Sequence, residues 1–437
     1  MRKSPTGPGA RSDGMRLCLA AAFFARLAEE GMAVAAVMLA VQRTGSAAQG
    51  AFVLTAWMAP HVCAAPLVGA VAGRARRPQL FCAGALAGFA AAVATLAAIT
   101  GRAPMPVTLA VALVGGGCGP VVSGGLSSLI AGLVPAGARR DRAYALDASA
   151  YSAASVAGPA AVGIMAALTS PATAMALLGG AAAVAAGLAA ALPNGNGPYG
   201  NGPYGNGPYG AGQPVRTASG PAALRAELAA GLTAVLRTRE LRAITAATCL
   251  AFLGIGGLTT TTVLLTGHHG RPGSGGVLMT AFAVGALAGS LAVARWRPPL
   301  TVHRLAAVAL FGTGAALAAA ALVPYPSART GLFVGAGLCD GPLLAATLRI
   351  RAEHAPPSAR AQVFTLGAGL KISAAACGAA LTGLAAALPP PLLLLGIAAL
   401  QVAAALLYVL LRPRAVRPRG PVSPFTARKS CPPSGVS

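Results

Sequence analysis

The sequence predicts an all-α membrane protein of twelve transmembrane helices, arranged as two six-helix bundles with cytoplasmic N and C termini. Three observations predict it: a composition too apolar for a water-facing surface, twelve apolar runs of spanning length, and basic residues confined to alternate connections. Of 437 residues, 56% are hydrophobic and only 10% charged, with a mean hydropathy of +0.69. A soluble chain carries charge on about a quarter of its residues. Lipid is therefore the expected solvent.

A spanning helix needs about 20 mainly apolar residues. The runs are Leu17–Val41, Ala51–Ala72, Leu80–Thr100, Val107–Val134, Ala143–Leu168 and Ala172–Leu192, then Ile244–Thr266, Gly276–Ala294, Leu305–Val323, Gly331–Leu348, Gln362–Leu388 and Leu392–Leu411. With both termini inside, basic clusters fall on the cytoplasmic side: the N-terminal tail, Arg74/Arg76/Arg77, Arg139/Arg140/Arg142, the central loop, Arg295/Arg297/Arg304, Arg349/Arg351/Arg360 and the C-terminal tail. The external connections hold only Arg43, Arg102, Arg271 and Arg329. Positive charge is retained on the cytoplasmic side, so this alternation supports both the count and the direction. The expected divisions are a tail over 1–16, a bundle over 17–192, a linker over 193–240, a second bundle over 241–411 and a basic tail over 412–437.

The net charge of +24 does not indicate nucleic acid, because the basic residues form no stripe beside stacking aromatics. Anionic lipid is the expected electrostatic partner, with the chain acting as a monomer on a small-molecule substrate. Seven of the eight cysteines lie in apolar runs and show no CxxC or CxxH spacing, so neither a disulfide framework nor a metal site is expected. Arg26, Glu29 and Glu30 interrupt the first run, so a cleaved signal peptide is not expected.

The linker carries three copies of Asn-Gly-Pro-Tyr-Gly, at Asn196, Asn201 and Asn206. Gly and Pro at this density give flexible coil, and a spacer is the expected role. Beyond it, Leu224, Leu228, Leu232 and Val235 recur at helical spacing among charges, as in an amphipathic helix lying on the membrane face.

The halves repeat one another. Gly69–Pro78 (GAVAGRARRP) matches Gly289–Pro298 (GSLAVARWRP), and Gly119-Pro120 matches Gly341-Pro342. Arg142-Ala and Arg360-Ala open corresponding spans. On these motifs the chain resembles the major facilitator superfamily over essentially all its spans. Gly69, Arg74 and Arg77 match the family's loop fingerprint, with Gly73 in place of its acidic residue. Ala154–Gly163 is similar to the Gly-Pro motif of the family's proton-coupled exporters. The resemblance implies two rocking bundles with a substrate site at the midplane, lined by the first, fourth, seventh and tenth spans. Gly158-Pro159 is expected to break the fifth helix. Small residues four apart (Gly115/Gly119, Gly285/Gly289, Gly337/Gly341) are expected to let helices approach closely.

Ionisable groups inside the hydrocarbon are costly and tend to be functional. Arg26, Glu29 and Glu30 lie roughly 14–20 Å from the start of the first span, and Asp340 and Lys371 at roughly similar depth. All five are therefore expected near the midplane as proton-coupling charges. Arg26 is expected to hold one glutamate while the other carries the proton. Asp340 is expected to pair with Lys371, and Asp147 with Arg142 or the Arg74 loop. Ser123, Ser127, Thr259, Thr260 and Thr261 are candidate substrate contacts.

The sequence contains no phosphate-binding Gly-x-x-x-x-Gly-Lys loop, no His-Glu-x-x-His and no Gly-x-Ser-x-Gly elbow. The expected function is transport without a cofactor, energised by the proton gradient, and not catalysis. Export of a small apolar or amphipathic molecule across the cell inner (plasma) membrane is the leading expectation. A metabolite uptake symporter is the alternative, and a non-transporting sensor or membrane enzyme is the reading from another class.

Overall fold

The computed structural model describes residues 8–61, 63–64, 75, 77–134, 138–192, 229, 231–268, 275–296, 300–356 and 360–412. Among them the secondary structure is entirely helical: α1 (Pro8–Thr44), α2 (Ala47–Met58), α3 (Pro78–Ile99), α4 (Met105–Gly116), a π-helical turn (Val121–Gly125), α5 (Leu126–Leu133), α6 (Ala138–Leu168) and α7 (Pro171–Ala190). Then follow α8 (Arg239–Ile255), α9 (Leu258–His268), α10 (Gly275–Trp296), α11 (Val302–Leu322), α12 (Pro326–His354), α13 (Arg360–Leu384) and α14 (Pro390–Leu411). Local sequence sets the ends. Ser46 accepts the Gln49 amide, Ser170 and Thr173 form a capping box, and Thr301 accepts the Arg304 amide. Gly45 and Gly101 take positive φ where the chain reverses.

Nine helices among the described residues are long and apolar enough to cross a membrane, counting α8 and α9 as one interrupted element. The three remaining expected spans behave differently. The first lies within α1, which is 37 residues long and carries Arg26, Glu29 and Glu30. The second is described only as the 12-residue α2 and a few residues beyond it. The fourth is not one helix: α4 ends in the Gly115–Gly117 run, and a π turn follows Gly119-Pro120 before α5 resumes. Glycines lower helix stability, and a proline lacks the amide its turn needs. The linker repeats, Leu224 and Leu228 lie outside the described residues. Of the expected amphipathic face, Val235 is buried with Leu241, Ala355 and Val363, while Leu232 is exposed.

The same set of packed pairs occurs twice. In the first half α1 packs on α2, α6 and α7, α3 on α4 and α7, and α2 on α4. In the second half α8 packs on α13 and α14, α9 on α10, α11 on α12 and α14, and α10 on α12. Close approach between α10 and α12 rests on the small residues. A Cβ at Gly285, Gly289, Gly337 or Gly341 would collide with the facing backbone of Val334, Leu338, Phe282 or Ala286.

The halves meet along α2–α13 and α6–α10, with α1 against α9. The close contacts of the seam join the ends of α6 and α13 to the starts of α10 and α2. There Gly163 faces Gly276, Gly383 faces Ala48 and Ala51, and the Thr55 hydroxyl donates to the Ala376 carbonyl at 3.2 Å.

Candidate functional site

Beside this seam lies a cavity of about 510 Å³ bounded by both halves. α1 contributes Glu29 and Glu30, α2 contributes Trp57, and His61 follows just beyond its end. α6 contributes Tyr151, Ser152, Ser155 and Pro159. From the second half come Phe252 and Thr259, Phe282 and Ser290, Asp340, and Lys371. Four ionisable groups expected at one depth thus share one cavity.

Their partners differ from wall to wall. Glu29 Oε1 lies 3.4 Å from His61 Nε2. His61 fits there because Gly119 has no side chain; a Cβ at Gly119 would strike the imidazole. Glu30 interacts with the Tyr151 hydroxyl. Lys371 Nζ stands 4.4 Å from the centre of the Phe252 ring, a cation–π arrangement. The indole nitrogen of Trp57 and Nδ1 of His61 are buried and have no hydrogen-bond partner among the described residues.

Arg26 does not line the cavity. It is 2% exposed, and Nη1 and Nη2 donate to the two Asp147 carboxylate oxygens at 2.8 and 3.1 Å. Nη1 also reaches the Asp147 carbonyl at 3.0 Å, Nη2 reaches Ser127 Oγ at 2.8 Å, and Ser127 donates to Asp147 at 2.6 Å. This is a bidentate, buried cluster tying α1 to α5 and α6.

A sequence model of the Major Facilitator Superfamily matches residues 18–335. The chain belongs to that superfamily. No curated protein matches the sequence at a significant level. Solved superfamily-like structures agree in fold. A point mutant of the nucleoside transporter NupG is 12% identical with a TM-score of 0.73, over 91% of this chain and 99% of that one. A POT family transporter in complex with a thioalcohol-conjugated peptide is 13% identical with a TM-score of 0.66, over 91% and 95% of the chains. The human organic anion transporter TETRAN is 17% identical with a TM-score of 0.60, over 94% and 99%. At these identities the likeness concerns architecture.

Within this superfamily member several sequence expectations require correction. Arg26 holds neither glutamate and takes Asp147 instead, because a carboxylate on the adjoining α6 can meet the guanidinium end-on. The Arg142 side chain and Arg74, the partners expected for Asp147, lie outside the described residues. No ion pair joins Asp340 to Lys371 among the described residues, although both face the cavity. Gly158-Pro159 does not break the fifth span, and α6 runs through Pro159. A Cβ at Gly158 would approach the Gly31 amide to 2.8 Å and the Leu27 carbonyl to 2.9 Å, so this glycine serves the packing of α1 on α6.

Thr259 lines the cavity, but Thr260 and Thr261 are fully buried away from it. The Thr261 hydroxyl bonds back to the Gly257 carbonyl at 2.9 Å. Ser127 belongs to the Arg26 cluster. Arg77 starts α3. Gly69, Arg74 and the Ser123 side chain lie outside the described residues. His61 and Trp57 escaped the sequence reading. The signal was a lone histidine in an apolar run, one turn after a tryptophan.

Proposed function

We propose that this protein is a proton-coupled secondary transporter of the plasma membrane, exporting a small amphipathic molecule by alternating access. One observation carries the reading: ionisable side chains from both halves line a single cavity beside the seam at which those halves meet. Membrane-buried charges that face a shared cavity, and not lipid, are those a transport cycle can use. With cytoplasmic termini, the seam closes the outside and the cavity belongs to the inward-facing state.

The proton falls to the α1 carboxylates. Glu30 has Tyr151 as a polar neighbour and Glu29 has His61, whereas Arg26, the cation nearest in sequence, is occupied by Asp147. Substrate entering the acidic wall displaces a proton, and reprotonation after release resets the carrier. Substitution of Glu29 and Glu30 singly by Gln in proteoliposomes tests this. Loss of pH-driven flux in at least one variant is expected, and unchanged coupling in both refutes the reading. Inside-out vesicles decide direction, since export predicts accumulation when the lumen is acidic.

A further inference from the structure

The two halves neutralise their buried guanidinium groups differently. Arg26 has a bidentate carboxylate. Arg351, on α12, is 4% exposed, and its Nε and Nη2 have no hydrogen-bond partner among the described residues. It rests on Gly367 of α13, where a Cβ would collide with the guanidinium. Nearby Glu353 is engaged by Arg349 at 2.7 Å on the surface.

Lys371 lies one helical turn along α13 from Gly367. It enters the cavity with the centre of the Phe252 ring 4.4 Å from Nζ; among the described residues no carboxylate forms an ion pair with it, although Asp340 and Glu30 act on it electrostatically. The cavity carries Glu29 and Glu30 on its α1 wall and Lys371 on its α13 wall, with Asp340 of α12 also lining it.

We propose that the transported molecule is an amphipathic zwitterion whose ammonium group displaces the proton at Glu30 and whose carboxylate docks at Lys371. This rests on the reading of the cavity as a transport site. An apolar body fits against Phe252, Phe282 and Trp57, and the unpaired indole nitrogen offers a further donor. A simple cation meets Lys371, and a simple anion meets Glu29 and Glu30, like charge against like.

The test is binding to the purified full-length protein in detergent, by thermal shift and Trp57 fluorescence. The probes are aromatic amino acids with short or long spacing between ammonium and carboxylate, each beside its amide (a cation) and its N-acetyl form (an anion). The zwitterion is expected to bind about tenfold or more tightly than either derivative, as a charged contact is lost in each. Lys371→Met, which keeps an apolar stem on Phe252, should erase the preference over the amide, while Lys371→Arg should retain it. Glu30→Gln should erase the preference over the N-acetyl form. Equal binding of amide and zwitterion to the wild type, or a preference that survives Lys371→Met, overturns the proposal. Should binding follow the expected pattern without flux in liposomes, the zwitterion site stands and the transport reading falls. Flux of cations indifferent to Lys371 has the opposite meaning.

Discussion

Removing the Asp147 carboxylate while leaving Arg26 in place gives the sharpest test of how the first half is held together. Asp147→Ala deletes both carboxylate acceptors of Arg26, at 2.8 and 3.1 Å, and the acceptor of Ser127 at 2.6 Å. The guanidinium keeps only the residue 147 carbonyl and the Ser127 hydroxyl, and it cannot move to water from a position 2% exposed. Breaking a buried pair from one side costs about 3–5 kcal/mol, since a charge is left uncompensated. Asp147→Asn keeps one acceptor oxygen and should cost less, about 1–3 kcal/mol. The double variant Arg26→Met/Asp147→Leu removes charge and partner together and should lie within about 1–2 kcal/mol of wild type. Denaturant unfolding of the purified protein in detergent, followed by tryptophan fluorescence, reads all three. An Asp147→Ala cost below about 1 kcal/mol would refute the argument. A double variant as unstable as Asp147→Ala would refute it equally.

Other perturbations probe the packing and the seam. Gly378→Ala places a methyl against the Leu253 carbonyl and should lower stability by about 1–3 kcal/mol. Gly180→Ala meets nothing within 4 Å and should be neutral or slightly stabilising in the same unfolding assay. Gln401 is fully buried, donating to the Ala251 carbonyl at 2.7 Å with its own oxygen unsatisfied. Gln401→Met should therefore change stability by less than about 1 kcal/mol, because the unmet acceptor leaves with the bond. At the seam, a Cβ on Gly383 would lie 3.7 Å from Ala48 Cα, within reach of a disulfide. In a background without the native cysteines, Ala48→Cys/Gly383→Cys should cross-link under oxidation and halt flux until reductant is added. Full flux in the cross-linked protein would exclude opening at this seam.

Sequence by itself determined the membrane class, the helical content, the duplication and the superfamily. Each of these depends on composition or on local period: apolar runs, Ser and Thr caps, and repeated Gly-Pro and Arg-Ala signatures. It also singled out the costly charges, because an acid in an apolar run is anomalous wherever the helix ends up. Tertiary structure alone decided which charges meet. Arg26 and Asp147 are far apart in the chain, and their pairing follows from α1 lying across α6. The same crossing released Glu29 and Glu30 to the cavity. His61 gained its place only because Gly119, on another helix, leaves the space empty. Helix-to-helix registry sets these contacts, and registry depends on which side chains are small at each crossing, a property of pairs of segments that no single segment carries.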